Sequence, residues 1–119
     1  MEALIIVAHG SKVQSSNQEI INLCNKIKQQ CSEDILVEHA FLELADPSIF
    51  HCLTKAVGMK CTHIKIFPYF LAAGKHVKTD IPSEIKKFKK LNPEIEFTLL
   101  PHLGMCAGIE DMILANSKV

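Results

Sequence analysis

Leu4-Ile5-Ile6-Val7-Ala8-His9-Gly10-Ser11 is the stretch that decides the fold. Residues 3–8 form a continuous apolar run with no polar alternation, the pattern of a parallel strand buried on both faces. Such a strand needs helices above and below its sheet. The run ends on a histidine followed by a glycine. That puts a side chain able to bind metal and exchange protons near neutral pH beside a residue that permits close approach to the backbone.

The rest of the chain supplies the expected covering elements. Ser16-x-x-Glu19 has capping-box spacing, and Ile20, Cys24, Ile27 and Cys31 recur at helical intervals. A second strand is predicted from Ile35 to Leu42. Asp46-Pro47 predicts an N-cap with proline at the first helical position. That second helix carries Ile49, Leu53 and Val57 on one face and stops at Gly58. The third strand runs from Thr62 to Phe67 and ends at Pro68. A long loop with Gly74 and His76 then leads to a third helix, capped by Thr79 or Asp80. Pro82 lies in its first turn, Ile81, Ile85 and Phe88 face inward, and Asn92-Pro93 ends it. A fourth strand, Ile95 to Leu100, passes through Pro101-His102-Leu103-Gly104 into a last helix, Met105 to Ala115.

This alternation predicts an α/β fold, an open four-stranded parallel sheet with helices on both faces and right-handed crossovers, in a single domain covering residues 1–119. The loops after strands 1 and 3 emerge at the same carboxyl edge. If those strands are neighbours, the crevice between them is where such sheets bind ligands, and it holds His9 and His76.

Composition narrows the function. The 119 residues carry 13 Lys plus Arg against 13 Asp plus Glu, a formal net charge of zero. That balance argues against nucleic-acid partners, which require a basic excess. With no Trp and 6% aromatic residues, a base-stacking platform is not expected either. The five cysteines, Cys24, Cys31, Cys52, Cys61 and Cys106, are odd in number and contain no Cys-x-x-Cys pair, so neither a disulfide framework nor a structural zinc site is expected. Reduced thiols suit the cytoplasm. The first apolar run is too short for a signal peptide and has no basic leader, and no stretch is long enough to cross a bilayer.

Several chemistries can be set aside. No Gly-x-Gly-x-x-Gly follows the first strand, and no Gly-x-x-x-x-Gly-Lys-Ser/Thr loop is present. The Gly-x-Ser-x-Gly elbow is missing. Histidine phosphatases also end a strand in His-Gly, but they place an arginine directly before the histidine, where this chain has Ala8. A lone histidine is ordinarily structural or solvated. His9 stands out because a buried strand holds its backbone rigidly, and His76 because an apolar strand anchors its polar loop, the kind of segment on which functional residues concentrate. His39, His51 and His63 fall within or at the start of elements and read as structural or exposed. His102 occupies the fourth loop of the same edge.

Three segments together carry a resemblance: Ala8-His9-Gly10-Ser11, Ala40-Phe41-Leu42-Glu43-Leu44-Ala45-Asp46-Pro47-Ser48, and Pro68-Tyr69-Phe70-Leu71-Ala72-Ala73-Gly74-Lys75-His76-Val77-Lys78-Thr79-Asp80-Ile81-Pro82. In this order they resemble the short-form class II tetrapyrrole chelatases, the CbiX-type sirohydrochlorin cobaltochelatase family. The resemblance covers nearly the whole chain and implies insertion of a divalent metal into sirohydrochlorin. Co²⁺ is the family's commonest assignment. Ni²⁺ or Fe²⁺ insertion, and non-catalytic carriage of metal or tetrapyrrole, remain open. It implies no tightly bound cofactor, the metal being a substrate.

The family's metal-binding and catalytic histidines map onto His9 and His76, and a carboxylate position of some longer relatives maps onto Glu43, which can equally be a solvated residue near the end of the second strand. Gly10, Ser11, Lys12, Leu71, Ala72, Ala73, Gly74 and Lys75 lie on the same loops. The lysines, with Lys78, can meet the ring's carboxylates as point charges, although any one of them is ordinarily a solvated surface residue. Leu71, Ala72 and Ala73 can face the ring or simply pack the loop. Longer members contain two such units, which implies a homodimer here. Met105, Ile109, Met112 and Ile113 can serve that interface or belong to the core.

Overall fold

The computed structural model describes residues 1–118. Four strands, β1 (Glu2–Ala8), β2 (Ile35–Phe41), β3 (His63–Pro68) and β4 (Glu96–Leu99), form one all-parallel sheet in the order β2-β1-β3-β4. Four helices alternate with them: α1 (Gln14–Gln30), α2 (Ile49–Gly58), α3 (Ile81–Leu91) and α4 (Ile109–Ser117). The apolar content of β1 fits its place inside this order. Residues 5–8 are all buried, so β1 must lie inside the sheet and be covered on both faces.

Strand alternation then divides the core in two. Ala3, Ile5 and Val7 of β1, with Ile64 and Ile66 of β3, pack against Leu53 and Ala56 of α2 and Ile81 and Phe88 of α3. Ile6 of β1 and Val37 of β2 point the other way, onto Cys24 of α1, with Leu4, Ile27, Phe67 and Tyr69 around them. Burial pushes the Cys52 thiol of α2 up to about 11 and holds the His39 imidazole below its ordinary value. His39 packs edge-on against Phe41, in keeping with the structural role read from its place within a strand.

Several element boundaries differ from expectation. Helix α1 begins at Gln14, ahead of the Ser16-x-x-Glu19 box, and Val13 at its N-cap makes no side-chain capping bond. Helix α2 begins at Ile49. Its cap is Ser48, whose hydroxyl accepts from the His51 amide, so Asp46-Pro47 precedes the helix. The Pro47 carbonyl instead accepts the Phe41 amide and extends the pairing of β2. Helix α3 is continued upstream by a π-helical turn, His76–Asp80. The last helix starts at Ile109, after a short 3-10 turn, Leu103–Met105.

The largest departure concerns α4. The core placement of its apolar residues fails, because no residue of α4 is buried, and Met112, Ile113 and Leu114 are each at least half exposed, as is Met105 before it. Met112 joins Leu4, Ile6, Leu23, Ile27, Phe67, Tyr69 and Leu103 in lining an apolar cavity of about 400 Å³. Its principal contact is the short turn before it. The long axis is accordingly 49 Å, against 31 and 26 Å for the other two.

Candidate metal centre

The strand order makes the carboxyl ends of β1 and β3 the point where the chain's path through the sheet reverses. From β1 the chain moves outward to β2, then crosses back over β1 to β3. Loops diverge at such a switch point and leave a crevice. His9 follows β1 directly and His76 ends the loop after β3, so the topology supplies the juxtaposition that the sequence made conditional on neighbouring strands.

Glu43 arrives by extended pairing. The Leu42 amide donates to the Ala8 carbonyl at 3.0 Å and the Glu43 amide to the His9 carbonyl at 3.1 Å, so β2's chain stays in register past its own last residue. On the other flank the Tyr69 amide donates to the Val7 carbonyl at 2.8 Å. Gly10 allows the close approach of the first two loops. Its φ is +96°, and a Cβ there would lie 1.9 Å from the Glu43 carbonyl oxygen. The Leu71 loop is pinned similarly, since a Cβ on Gly104 would lie 1.8 Å from the Leu71 carbonyl oxygen.

The result is a compact ligand set. One donor atom each from His9, Glu43 and His76 lie within 4.8 Å of one another. His9 Nε2 stands 2.9 Å from Glu43 Oε1, while its Nδ1 lies 3.0 Å from the Gly10 carbonyl oxygen. The two imidazoles meet edge to face, with centroids 5.0 Å apart, and His76 is flanked by the Phe70 ring at 6.3 Å. His9 and Glu43 are both about half exposed, so a ligand can reach them from solvent. Two imidazole nitrogens and a carboxylate suit borderline divalent transition metals.

The other expected site residues are disposed as follows. Ser11 is half-buried and its hydroxyl is engaged locally, accepting from the Val13 amide at 3.0 Å. Lys12, Lys75, Leu71, Ala72 and Gly74 are exposed, and Ala73 is half-buried. Lys12, Lys75 and Lys78 form no ion pair among the described residues, which leaves their charges available. His102 stands outside the ligand group, at the head of the short turn after β4.

Two contributors were missed. Asn17, buried on α1, donates to the Ser11 carbonyl at 2.8 Å and accepts from the Ser11 amide at 3.0 Å, tying the loop after His9 to the helix. Its signal was its position one helical step before Ile20 on the buried stripe. Asp80, expected as a helix cap, makes no capping bond. Its carboxylate lies 2.7 Å from His76 Nδ1.

The CbiX family profile matches residues 3–118. This chain belongs to the CbiX family. Among its relatives, the sirohydrochlorin ferrochelatase of Priestia megaterium is 31% identical over 114 residues, spanning 96% of this chain and 42% of that protein. The sirohydrochlorin cobaltochelatase of Sulfolobus acidocaldarius is 34% identical over 87 residues, spanning 73% and 68%. The sirohydrochlorin chelatase SirB of Bacillus subtilis subspecies spizizenii, solved in complex with cobalt, superposes with a TM-score of 0.83 at 29% identity, covering 98% of this chain and 50% of that one. This CbiX chain thus spans from under half to about two thirds of the length of these relatives. The match bears out the family resemblance and the four-stranded parallel α/β fold.

Proposed function

We propose that this protein is a sirohydrochlorin metal chelatase whose metal-handling and catalytic residues are His9, Glu43 and His76. The observation that carries the reading is the convergence of their donor atoms within 4.8 Å at the β1/β3 switch point. The names and ligands of its CbiX relatives support sirohydrochlorin and a divalent metal as substrates. Cobalt is the metal we assign first, on the relatives named sirohydrochlorin cobaltochelatase, with iron and nickel as the alternatives.

The chemistry follows from the geometry. The incoming ion must shed water, and the macrocycle must lose two N–H protons. His9 and His76 bind M²⁺ through neutral ring nitrogens, and Glu43 supplies a carboxylate oxygen. With only three protein donors, a bound ion would keep coordination positions for the macrocycle nitrogens. As the ion leaves, the 2.9 Å gap between His9 Nε2 and Glu43 Oε1 becomes a place to hold one of the displaced protons, because metal and proton compete for the same lone pairs. The second proton passes to solvent, which reaches the half-exposed residues. Three solvent-reached ligands, two of them exposed, hold an ion less firmly than a closed four-ligand structural site, as a protein that must surrender its metal requires.

Lys12, Lys75 and Ser11 are placed by the same loops to meet the carboxylates of the substrate, with Gly10, Leu71, Ala72, Ala73 and Gly74 beside the ring. We further propose that the chain is a single chelatase-like unit, that two copies pair to enclose the broad macrocycle, and that the protein works in the cytoplasm, in keeping with its five free cysteines. The direct test is metallation of sirohydrochlorin by the purified protein with Co²⁺, Ni²⁺ and Fe²⁺ in parallel, followed by absorbance. The double variant His9→Ala/His76→Ala is expected to fall to the uncatalysed rate. Metallation by that variant at the wild-type rate would remove the assigned site, and tetrapyrrole binding without any acceleration in the wild type would make the protein a carrier.

A further inference from the structure

We infer that Asp80 is the positioning residue of His76, holding its imidazole in the tautomer that points a lone pair at the metal. This rests on the chelatase reading of the site. In the sequence, Asp80 two residues before Pro82 looks like a helix cap. The structure gives its side chain no such task. The π-helical turn His76–Asp80 runs directly into α3, Asp80 itself has helical angles (φ −68°, ψ −46°), and the Ile81 amide is taken by the His76 carbonyl. The helix therefore starts upstream of Asp80, and the carboxylate is free for another partner.

That partner is His76. Asp80 Oδ2 lies 2.7 Å from His76 Nδ1, and both side chains are about one third exposed. A carboxylate can only accept a hydrogen bond, so the proton sits on Nδ1 and Nε2 carries the lone pair. Two rings neighbour the imidazole, that of His9 at 5.0 Å and that of Phe70 at 6.3 Å. The contact also places negative charge behind the ring, which strengthens Nε2 as a donor. Carboxylate partners of this kind fix both tautomer and orientation of metal-ligating histidines. His9 gets its orientation differently, from the Gly10 carbonyl oxygen, so the two imidazoles of the site are held by separate devices.

The test uses Asp80→Asn, which preserves shape, and Asp80→Ala, both in the full chain. Nitrogen NMR of the metal-free protein at alkaline pH reads the His76 tautomer without any reaction. Cobalt titration followed by visible absorbance reads affinity, and thermal unfolding reads the helix. Asp80→Ala is expected to move His76 toward the Nε2–H tautomer and to weaken Co²⁺ binding by about 10- to 100-fold, while Asp80→Asn, whose Oδ1 still accepts from Nδ1–H, is expected to change both less and to unfold near the wild-type temperature. An unchanged tautomer with wild-type cobalt affinity in both variants overturns the inference. So does a loss of affinity that merely tracks a fall in unfolding temperature while the tautomer stays put, because that is the behaviour of a helix cap. Wild-type cobalt binding by His9→Ala/His76→Ala would instead sink the metal reading, while the tautomer measurement still judges Asp80.

Discussion

Gly10 shows how a single hydrogen atom shapes the site. Its backbone turns through positive φ and presses on the Glu43 carbonyl, leaving no room for a Cβ. Gly10→Ala must therefore either strain the first loop or push Glu43 away from His9. We expect a loss of about 2 kcal/mol or more in chemical denaturation and weaker cobalt binding in titration. Wild-type cobalt affinity in a folded Gly10→Ala protein would mean that this contact does not hold the ligand set together. The sequence marked Gly10 as permissive, and also marked His9, His76 and Glu43. It did not mark the Asp80–His76 contact, since an aspartate near a helix start has a commoner local use, and only the extra π-helical turn takes that use away.

At the scale of elements, the loop after β1 is held from within α1. Asn17 lies on the buried stripe that Ile20, Cys24 and Ile27 continue, and both of its amide atoms are spent on the Ser11 backbone. Asn17→Ala leaves the half-buried Ser11 amide and carbonyl without their partner, at a cost of about 1 kcal/mol, and frees the segment that carries His9. The expected outcome is a lower denaturation midpoint together with weaker cobalt binding. A stability loss with unchanged cobalt binding would show that His9 is placed by β1 alone. Helix starts were the poorest part of the sequence reading for a related reason. Ser16-Glu19 and Asp46-Pro47 both carry capping chemistry, but which residue begins a helix depends on which backbone groups the sheet has already engaged. The Pro47 carbonyl went to Phe41 of β2, and that decided the second case.

The whole molecule carries one conspicuous mismatch. Helix α4 has nine residues and buries none of them, beside an open apolar cavity of about 400 Å³. A helix that short is marginal on its own in water, so the proposed pairing of two copies gives it what its own chain does not. Sedimentation is expected to find a dimer, and Met112→Lys with Ile113→Lys is expected to release monomers that still fold. A wild type that stays monomeric at all accessible concentrations would refute the pairing.

What the sequence by itself determined was the alternation of strands and helices, the burial of residues 5–8 of β1 and the candidate ligands, because apolar periodicity and short turn motifs are local properties of the chain. What only the tertiary structure decided was the strand order that makes β1 and β3 neighbours, the register that carries Glu43 to His9, the Asp80 contact and the exposure of α4. Each of those depends on where distant backbone groups find their partners, and no local pattern records that choice.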